Sequence, residues 1–437
     1  MAQMDDAVDV VVVGAGPAGI AAALTLARAG KEVVVLERGE FVGAKNVFGG
    51  AIYTQPTAEL YPDFWETAPV ERYNAEHRFC MMTPDSAVTM GYKSQQHMEA
   101  PHYNSFTVQR AKWDRWCAEQ AEAAGAFIVT STTVRDLLWD GTRIAGVKTE
   151  QEDFPAKVTI IGDGVNSLLT EKAGLRTRIP KPSEVALGVK EVIALDEQVI
   201  NDRFNCENGS GVIYTMMGDV FDGLVAMGFI YTNKDSVVVG LGASLEDLQQ
   251  RLVKPYDLLE IFKQHPVVRP LIAGGKMLEY SGHMIPEGGY HAMPQLFCDG
   301  AMVVGDAAML VNNVHWEGTN LAMASGVFAA QTALQALENN DFSHFQLSLY
   351  EKLLKSSYVY QDLQTYRDIL PTVEKYSNVF MGHYPNALNK LFDTFVSVDS
   401  VPKKEKMQAF VGDTLKARSP FHMALDALKV GLPIINS

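Results

Sequence analysis

The sequence predicts an α/β fold: a parallel sheet with covering helices, interrupted by an α+β domain and followed by a helical C-terminal region. Valine-rich strands at 8–13 and 31–36 flank a glycine-rich turn and a small-residue helix, which together form a strand–helix–strand unit. Strand-like runs and one helical stretch, 245–264, fill the middle of the chain, from about residue 182 to 296. Asp140-Gly141 is expected to form a hairpin turn between short strands at 133–139 and 144–149. The last hundred residues show the apolar spacing of helices.

The composition is that of a multidomain protein with a large core. A chain of 437 residues argues for two or three domains, and 47% of its residues are apolar. Lys and Arg number 37 against 52 Asp and Glu, a net charge of −15, which disfavours nucleic acid and leaves only apolar contact with a membrane. The cysteines form no CxxC pair, so no metal site is expected; they are Cys80, Cys117, Cys206 and Cys298.

We expect neither a secretion signal nor a membrane-spanning segment. The acidic residues 1–9 lack the basic region of a signal peptide. The apolar stretch 10–27 is long enough to resemble a membrane span, but three glycines and a proline divide it into a strand, a turn and a helix. The sequence therefore predicts a cytoplasmic protein.

The first motif, Gly-Ala-Gly-Pro-Ala-Gly at 14–19, follows the first strand and opens the first helix. Gly14 permits the tight turn, Gly16 lets the backbone approach a pyrophosphate and Gly19 allows close helix–strand packing. The helix N-terminus offers unpaired N–H groups to phosphates. Glu37 ends the second strand, where a carboxylate accepts hydrogen bonds from a ribose. Together these features predict a Rossmann-like dinucleotide-binding domain.

A second turn far downstream favours FAD over a nicotinamide cofactor, which does not require such a turn. Gly-Asp-Ala-Ala at 305–308 follows a predicted strand at 301–304 and precedes a predicted helix at 318–337. Asp306 would bind the ribityl chain, and the helix N-terminus at Gly318 would stabilise negative charge on a reduced flavin. The alternative is a simple strand–turn–helix in which Asp306 is a cap.

These motifs, with Gln109-Arg110 and Asp163-Gly164, resemble the para-hydroxybenzoate-hydroxylase-like FAD superfamily, in the same order over most of the chain. Within it, the sequence is similar to FixC-type subunits, the bacterial relatives of electron-transfer flavoprotein:quinone oxidoreductase. The closer signatures are Gly-Ala-Lys-Asn-Val at 43–47 with Gly49-Gly50, Gly-Val-Lys-Glu at 188–191, and the segment 272–289, which hydroxylases lack.

The resemblance implies where FAD would bind. Glu37 would hold the adenosine ribose, Arg110 would approach the pyrophosphate and Asp306 would hold the ribityl chain. The segment 43–46 would pass beside the isoalloxazine, and Lys45 there is either a flavin-tuning residue or a solvated loop lysine. The expected cofactor-binding set is Gly14, Gly16, Pro17, Ala18, Gly19, Glu37, Arg38, Ala44, Lys45, Asn46, Gly49, Gly50, Arg110, Val134, Gly162, Asp163, Gly164, Gly305, Asp306, Gly318, Thr319 and Asn320.

Two features argue against a nicotinamide-driven hydroxylase. Hydroxylases carry an arginine three residues after the serine of the Asp-Gly motif, but here Thr170 stands three residues after Ser167. The segment Val-Gly-Leu-Gly-Ala at 239–243 has Leu245 where a nucleotide motif needs its third glycine, so we interpret it as a strand with a bulge rather than an NADH site. Electrons would therefore arrive from another protein.

The resemblance implies an FAD-dependent oxidoreductase that passes electrons from reduced electron-transfer flavoprotein, with its alpha and beta subunits, to a membrane quinone. Mitochondrial relatives carry an iron–sulfur domain whose ligands are not found here, which implies a small ferredoxin-like partner within a FixABCX-type, electron-bifurcating complex. The expected location is cytoplasmic, peripheral at the inner face of the cell membrane. Three alternatives remain: a geranylgeranyl-reductase-like isoprenoid reductase, an aromatic hydroxylase, and an assembly subunit that holds FAD without turnover.

The segment 223–231 matches the quinone-facing segment of the family, which implies Gly228, Phe229 and Tyr231 as quinone contacts. Relatives have two adjacent glycines where Ala226-Met227 stands here, and an ordinary core strand is the alternative. The apolar stretch 420–435 would lie in a membrane interface, against a partner or between domains. The predicted domains are an FAD-binding domain, 1–181 and 297–340, a substrate or quinone domain, 182–296, and a helical C-terminal region, 341–437.

Overall fold

The computed structural model describes residues 7–47, 50–207 and 209–435, so Gly49 of the expected FAD set lies outside the described residues. The strands are β1 Val8–Val13, β2 Val33–Leu36, β3 Ala51–Tyr53, β4 Val70–Met82, β5 Ala87–Lys93, β6 Ser105–Val108, β7 Phe127–Val129, β8 Asp136–Asp140, β9 Arg143–Lys148, β10 Asp153–Ile161, β11 Val185–Ala194, β12 Ser210–Gly218, β13 Ala226–Thr232, β14 Ser236–Ser244, β15 Lys276–Pro286, β16 Phe297–Cys298 and β17 Ala301–Val303. The helices are α1 Pro17–Arg28, α2 Thr54–Ala58, α3 Arg110–Ala123, α4 Leu168–Lys172, α5 Glu197–Phe204, α6 Leu245–Arg251, α7 Pro255–Gln264, α8 Arg269–Ile272, α9 Gly289–Ala292, α10 Thr319–Asn339, α11 His344–Ser356, α12 Tyr358–Tyr366, α13 Ile369–Lys375, α14 Tyr384–Val396, α15 Lys403–Ala417 and α16 Pro420–Ile435.

Valine-rich parallel strands form the frame of the first of two compact units, which comprises Met1–Glu71, Val108–Val185 and His283–Gln364. Its main sheet has the order β16-β17-β10-β1-β2-β7, with parallel pairing throughout except between β16 and β17. The central strand β1 is buried on both faces, as its unbroken valines require. Helices α1 and α10 pack so closely that a Cβ added at Gly326 would lie 2.0 Å from the carbonyl oxygen of Ala18.

The second unit comprises Arg72–Thr107, Ala186–Gly282 and Thr365–Ser437. Its sheet runs in the order β15-β11-β14-β13-β12-β4-β6, with β5 beside β4. Pairing is antiparallel between neighbours from β11 to β12, while β12 and β4 are parallel. One face of the sheet packs against α5, α6 and α7 in a core that includes Phe204, Leu248 and Phe262. The predicted fold class, a mixed α/β fold with a helical C-terminal region, is confirmed.

Three local expectations differ from the structure. The stretch 245–264, predicted as one helix, is two helices, α6 and α7, because Leu252 adopts a left-handed conformation and Pro255 begins the second helix. Strand β14 pairs with β11 and β13 in unbroken register, so the segment 239–243 contains no bulge. Residues 72–107 belong to the second unit rather than to an FAD-binding segment 1–181, since β4 pairs with β12.

Candidate functional site: an FAD cradle and an apolar sheet face

The glycine turn at 14–19 has a different physical reason for each glycine. Gly14 has a φ of +90°, and a Cβ there would lie 2.3 Å from the carbonyl oxygen of Gly162. A Cβ at Gly19 would lie 2.0 Å from the carbonyl oxygen of Gly14, so this glycine lets α1 approach β1. A Cβ at Gly16 would meet no atom within 4 Å. The turn therefore leaves open space at the N-terminus of α1, where no side chain caps the helix and an anion fits.

Glu37 connects this turn to the end of β2. Its Oε2 accepts a hydrogen bond from the Ala15 N–H (2.9 Å) and its Oε1 accepts one from the Gly39 N–H (2.7 Å). Each carboxylate oxygen retains further acceptor capacity for ribose hydroxyls. The Thr132 N–H donates to the Glu37 carbonyl (2.8 Å), which places the loop containing Val134 beside the same strand end.

Arg110, the first residue of α3, is held by a side chain that the sequence reasoning did not select. Its Nε and Nη2 donate to the two carboxylate oxygens of Asp114, at 3.1 and 2.9 Å. Asn46 Nδ2 donates to Asp114 Oδ2 (2.6 Å), and a Cβ at Gly43 would lie 3.0 Å from the Asp114 Cβ. Asp114 thus joins the segment 43–46 to α3. The Arg–Asp pair at i and i+4 was the available signal.

The Asp163-Gly164 loop follows β10, whose neighbours are β1 and β17. Asp163 accepts hydrogen bonds from the Leu169 N–H (2.7 Å) and the Thr170 hydroxyl (3.2 Å), so its carboxylate orders the start of α4. Burial raises the pKa of Asp163, opposed by these bonds. The Gly162 N–H donates to the Val13 carbonyl (2.9 Å), which holds this loop beside the glycine turn.

Ser167, in the same loop, accepts a hydrogen bond from an arginine. Arg176 Nη2 donates to Ser167 Oγ (3.1 Å) and also to the carbonyl oxygen of Ala307 (2.8 Å). This arginine stands nine residues after the serine, whereas hydroxylases carry theirs three residues after it, so the departure from the hydroxylase pattern remains.

The turn after β17 presents Asp306 with its carboxylate uncommitted. Gly305 has a φ of +63°, and its N–H donates to Ser325 Oγ (3.0 Å). Within the described part of the chain, no hydrogen bond reaches the Asp306 carboxylate. Burial raises its pKa to about 6, although the positive charge of Arg110 opposes this shift. A largely buried carboxylate of this kind fits the hydroxyl donors of a ribityl chain.

The N-terminus of α10 offers a second uncommitted group. Gly318 occupies the N-cap position and supplies no side-chain cap. Asn320 Nδ2 donates to Glu317 Oε2 (2.9 Å), while the buried Asn320 Oδ1 has no hydrogen-bond partner among the described residues. Buried polar atoms are normally paired, so an unpaired acceptor beside an uncapped helix indicates a ligand position. The residues present therefore fit FAD.

Four other members of the expected FAD-binding set are exposed or only partly buried. Lys45 and Arg38 are exposed, whereas Ala44 and Gly50 are partly buried. Asp114, Ser167 and Arg176 are the residues that the structure adds to the site.

In the second unit, β13 separates the three expected quinone contacts onto two faces. Phe229 and Tyr231 lie on one face, with ring centroids 4.8 Å apart and planes 15° apart. Gly228 is turned to the other face, where a Cβ would lie 2.6 Å from the Phe262 ring. The close packing of the Phe262 ring therefore explains why position 228 requires a glycine. A ligand on the opposite face could contact Gly228 only through its backbone atoms.

Glycines of β14 shape the face that carries Phe229 and Tyr231. A Cβ at Gly240 would lie 2.4 Å from the Phe229 ring, so this glycine makes room for the aromatic side chain. Gly242 pairs with Met227, and a Cβ there would meet no atom within 4 Å. The motif at 239–243 thus serves packing and leaves a flat, open position on a sheet face that carries Met227, Phe229 and Tyr231 together with Lys190, the cross-strand partner of Gly240.

Comparison with known proteins identifies the class first: the description "FAD dependent oxidoreductase" matches residues 9–196, so this is an FAD-dependent oxidoreductase and the prediction of FAD is confirmed. Two further descriptions, "ETF-QO, ubiquinone-binding" and "ETF-QO/FixC family C-terminal domain", match residues 185–285 and 371–432. The chain is 43% identical over 430 residues to Protein FixC of Bradyrhizobium diazoefficiens, with 98% of each chain covered. The chain belongs to the ETF-QO/FixC family, which confirms the resemblance read from the motifs.

Other relatives agree in family, while solved structures agree in fold. The probable electron transfer flavoprotein-quinone oxidoreductase YdiS of Escherichia coli is 40% identical, with 94% of this chain and 96% of the relative covered. A geranylgeranyl bacteriochlorophyll reductase-like protein from Thermoplasma acidophilum has a TM-score of 0.72 at 21% identity, covering 94% of this chain and 98% of that one. The flavin-dependent brominase Bmp2 has a TM-score of 0.65 at 16% identity, covering 89% and 92%. At these identities the structural likeness shows the fold alone.

Proposed function

We propose that this protein takes electrons from a reduced electron-transfer flavoprotein and passes them to a membrane quinone. The observation that carries the proposal is the match of residues 185–285 to the ubiquinone-binding description, which covers strands β11 to β14 of the sheet of the second unit. In the same chain, the first unit fits FAD. One protein thus combines a redox cofactor with an apolar sheet face of the type that an isoprenoid quinone requires.

FAD, when bound, supplies the redox chemistry, and the chain supplies binding and electrostatics. In our proposal the Asp306 carboxylate accepts hydrogen bonds from ribityl hydroxyls. The guanidinium of Arg110 offsets phosphate charge and is kept in place by Asp114. Glu37 accepts from the adenosine ribose while it ties Ala15 to Gly39. The N-terminus of α10 contributes positive potential at the flavin.

The quinone would lie against the β13–β14 face of the second unit. Tyr231 offers an aromatic ring stacked on the buried Phe229, Met227 offers an adaptable apolar side chain, and Gly242 leaves room for a flat ring. Met227 stands where relatives have a glycine, so its side chain replaces part of the backbone contact that the resemblance implied. Binding would gain mainly from removing apolar surface from water.

We also propose that α14 and α16 bring the protein to the membrane surface. Asn389 anchors α14 through hydrogen bonds with the Met81 carbonyl (2.9 Å) and Ser86 Oγ (3.0 Å), while Phe392 and Phe395 point outward with 48% and 70% exposure. Asp426 anchors α16 through Arg418 and Tyr384. Outside these anchors the helices are largely exposed, with Val396, Val398 and Phe421 also on the surface.

The local charge of residues 384–432 differs from that of the whole chain, so we revise the expectation of purely apolar membrane contact and propose an anionic lipid surface. Residues 384–432 contain seven Lys and Arg against five Asp and Glu, in a chain whose net charge is −15. Exposed aromatic and aliphatic side chains with nearby lysines are typical of interfacial helices. Within residues 7–47, 50–207 and 209–435, no helix is long and apolar enough to cross a membrane. The proposed contact is therefore peripheral, at the inner face of the cell membrane.

The proposed partners are those the resemblance implies: the alpha and beta subunits of electron-transfer flavoprotein and a small ferredoxin-like iron–sulfur protein, in an electron-bifurcating complex. Co-purification from the native cell tests this directly. We expect these polypeptides, one with an iron–sulfur absorption spectrum, to accompany the chain. Purification of the chain alone, with full quinone activity, would contradict the iron–sulfur partner.

The electron-transfer proposal is tested with the FAD-loaded protein, a reduced electron-transfer flavoprotein and a short-chain ubiquinone. We expect quinol to form in proportion to the electrons supplied, and NADH alone to reduce the flavin slowly. Rapid reduction by NADH, or reduced flavin that fails to react with quinone, would contradict the proposal. Incubation with dithionite and a geranylgeranyl lipid separates the isoprenoid-reductase alternative, which predicts a saturated product.

A further inference from the structure

Two loops that face the proposed FAD site are joined by one buried guanidinium. Arg176 Nη2 donates to Ser167 Oγ (3.1 Å) in the loop after β10 and to the Ala307 carbonyl (2.8 Å) in the turn after β17. The residue is 8% exposed and Ser167 is fully buried. The two acceptors are separated by 140 residues of sequence, and they lie in segments that follow the paired strands β10 and β17, so Arg176 adds a side-chain bond beyond the end of that pairing.

Both acceptors belong to segments with demanding backbone geometry. Ser167 has a φ of +51°, a left-handed conformation that is costly for a residue with a Cβ, and its hydroxyl also contacts the carbonyl oxygens of Gly164 and Val165. The turn 305–308 begins with Gly305 at a φ of +63° and carries Asp306, whose carboxylate is uncommitted. Strained segments keep their shape only when neighbouring bonds fix them.

A comparison with another buried arginine separates a positioning role from a structural one. Arg72, in the second unit, donates from Nε to the Asn233 carbonyl (2.7 Å) and from Nη1 to the Ser210 carbonyl (2.9 Å) and Asn201 Oδ1 (2.7 Å). Arg176, by contrast, buries its Nε with no hydrogen-bond partner among the described residues. Arg72 thus pairs its Nε, whereas Arg176 leaves a buried donor unpaired, which is uncommon for a buried polar group.

We infer that Arg176 is a positioning residue for the cofactor: it fastens the Asp163–Ser167 loop to the Gly305–Ala308 turn and thereby holds Asp306 where FAD binds. Its role would be to make the cradle rigid before FAD arrives, so that less binding free energy is spent on ordering the loops. The inference concerns FAD affinity and stands whether or not the protein reduces quinone.

The test is the dissociation of FAD from the full-length protein, followed by the recovery of flavin fluorescence. We expect Arg176→Ala to weaken FAD binding by about 10- to 100-fold, the usual effect of losing a charged hydrogen bond to buried acceptors. Guanidinium ion at low millimolar concentration should restore part of the affinity of this variant. Arg176→Lys, which keeps the charge but cannot present the same fork of donors, should fall between Arg176→Ala and wild type.

Arg203→Ala is the matched control, because Arg203, like Arg176, donates to two oxygen atoms; they are the carbonyl oxygens of Leu271 (3.2 Å) and Ala273 (2.7 Å), in the second unit. It should lower the melting temperature without changing FAD affinity. If Arg176→Ala and Arg176→Lys both lower the melting temperature of the apoprotein but bind FAD as wild type does, the inference is wrong. If Arg176→Ala does not fold, the affinity of Arg176→Lys decides alone.

Discussion

Glycines shape both units of this protein, but for opposite reasons. In the first unit, Gly14 and Gly19 bring backbone against backbone, and Gly16 leaves space for a ligand. In the second unit, Gly228 and Gly240 make room for the rings of Phe262 and Phe229. A glycine near a site therefore indicates ligand approach only when the space above it is empty. Gly16 and Gly242 meet that condition, whereas Gly228 does not.

The strongest test of this comparison is Gly14→Ala. The added Cβ meets the Gly162 carbonyl at 2.3 Å and the φ of +90° disfavours alanine, so we expect a destabilisation of at least about 3 kcal/mol and loss of bound FAD. Differential scanning calorimetry and the ratio of flavin to protein measure both effects. Gly16→Ala is the matched variant: its apoprotein should melt as wild type does, while FAD binds more weakly. Equal melting temperatures for the two variants would contradict the distinction.

Asp306→Asn should raise the stability of the apoprotein while it lowers FAD affinity. The folded-state pKa of Asp306 is about 6 against an ordinary 3.8, so the folded apoprotein holds a proton that the unfolded chain has lost, and stability falls as the pH rises from about 4 to 6. Asn carries no charge, so the variant apoprotein should gain about 3 kcal/mol over wild type at pH 7 and only about 0.5 kcal/mol at pH 4. FAD affinity should fall. Urea unfolding at both pH values tests this, and a pH-independent difference would contradict the assigned cause.

Gly228→Ala should harm the second unit alone. The added methyl group overlaps the Phe262 ring at 2.6 Å, which costs about 1–3 kcal/mol by overpacking, while flavin content stays at the wild-type level. Gly242→Ala, the control, should fold normally because its Cβ meets open space. If quinone lies on this face, Gly242→Ala raises the KM for ubiquinone without changing FAD affinity. An unchanged KM would place the quinone elsewhere.

The smallest expected effect concerns the exposed face of α14. Phe395→Ser removes an aromatic side chain that is 70% exposed, so stability should change by less than about 0.5 kcal/mol. Co-sedimentation with vesicles containing phosphatidylglycerol should nevertheless fall several-fold. Phe345→Ser is the control, since Phe345 is 83% exposed on α11 in the first unit. Equal loss of vesicle binding in both variants would contradict a specific membrane contact through α14.

Sequence reasoning succeeded where structure follows from neighbouring residues. The units β1–α1–β2 and β17–turn–α10 follow from valine runs, glycines and small residues within about 40 positions, and the hairpin at Asp140-Gly141 follows from two residues, with Gly141 at a φ of +62°. The division of 245–264 into two helices could also have been predicted, because Pro255 disfavours a continuous helix through that position. These features need no knowledge of distant contacts.

The remainder depends on distant pairs that a single sequence does not reveal. Residues 72–107 join the second unit because β4 pairs with β12, more than 130 positions away. Asp114 matters because it meets Asn46, and Arg176 because it meets Ala307. The orientation of Gly228 toward Phe262 likewise depends on how β13 pairs with its neighbouring strands. The residues of the segment 223–231 do not by themselves reveal that pairing.

Each unit is assembled from three separate stretches of chain, and β17, at 301–303, completes the parallel sheet only after the whole second sheet has been synthesised. During translation, β10 thus leaves the ribosome long before its partner strand β17 does. Folding that depends on such distant pairs is slow, and the unpaired edge of the apolar parallel sheet is exposed until β17 pairs with it. The nascent protein should therefore rely on chaperones, and neither unit can be obtained by simple truncation at one end.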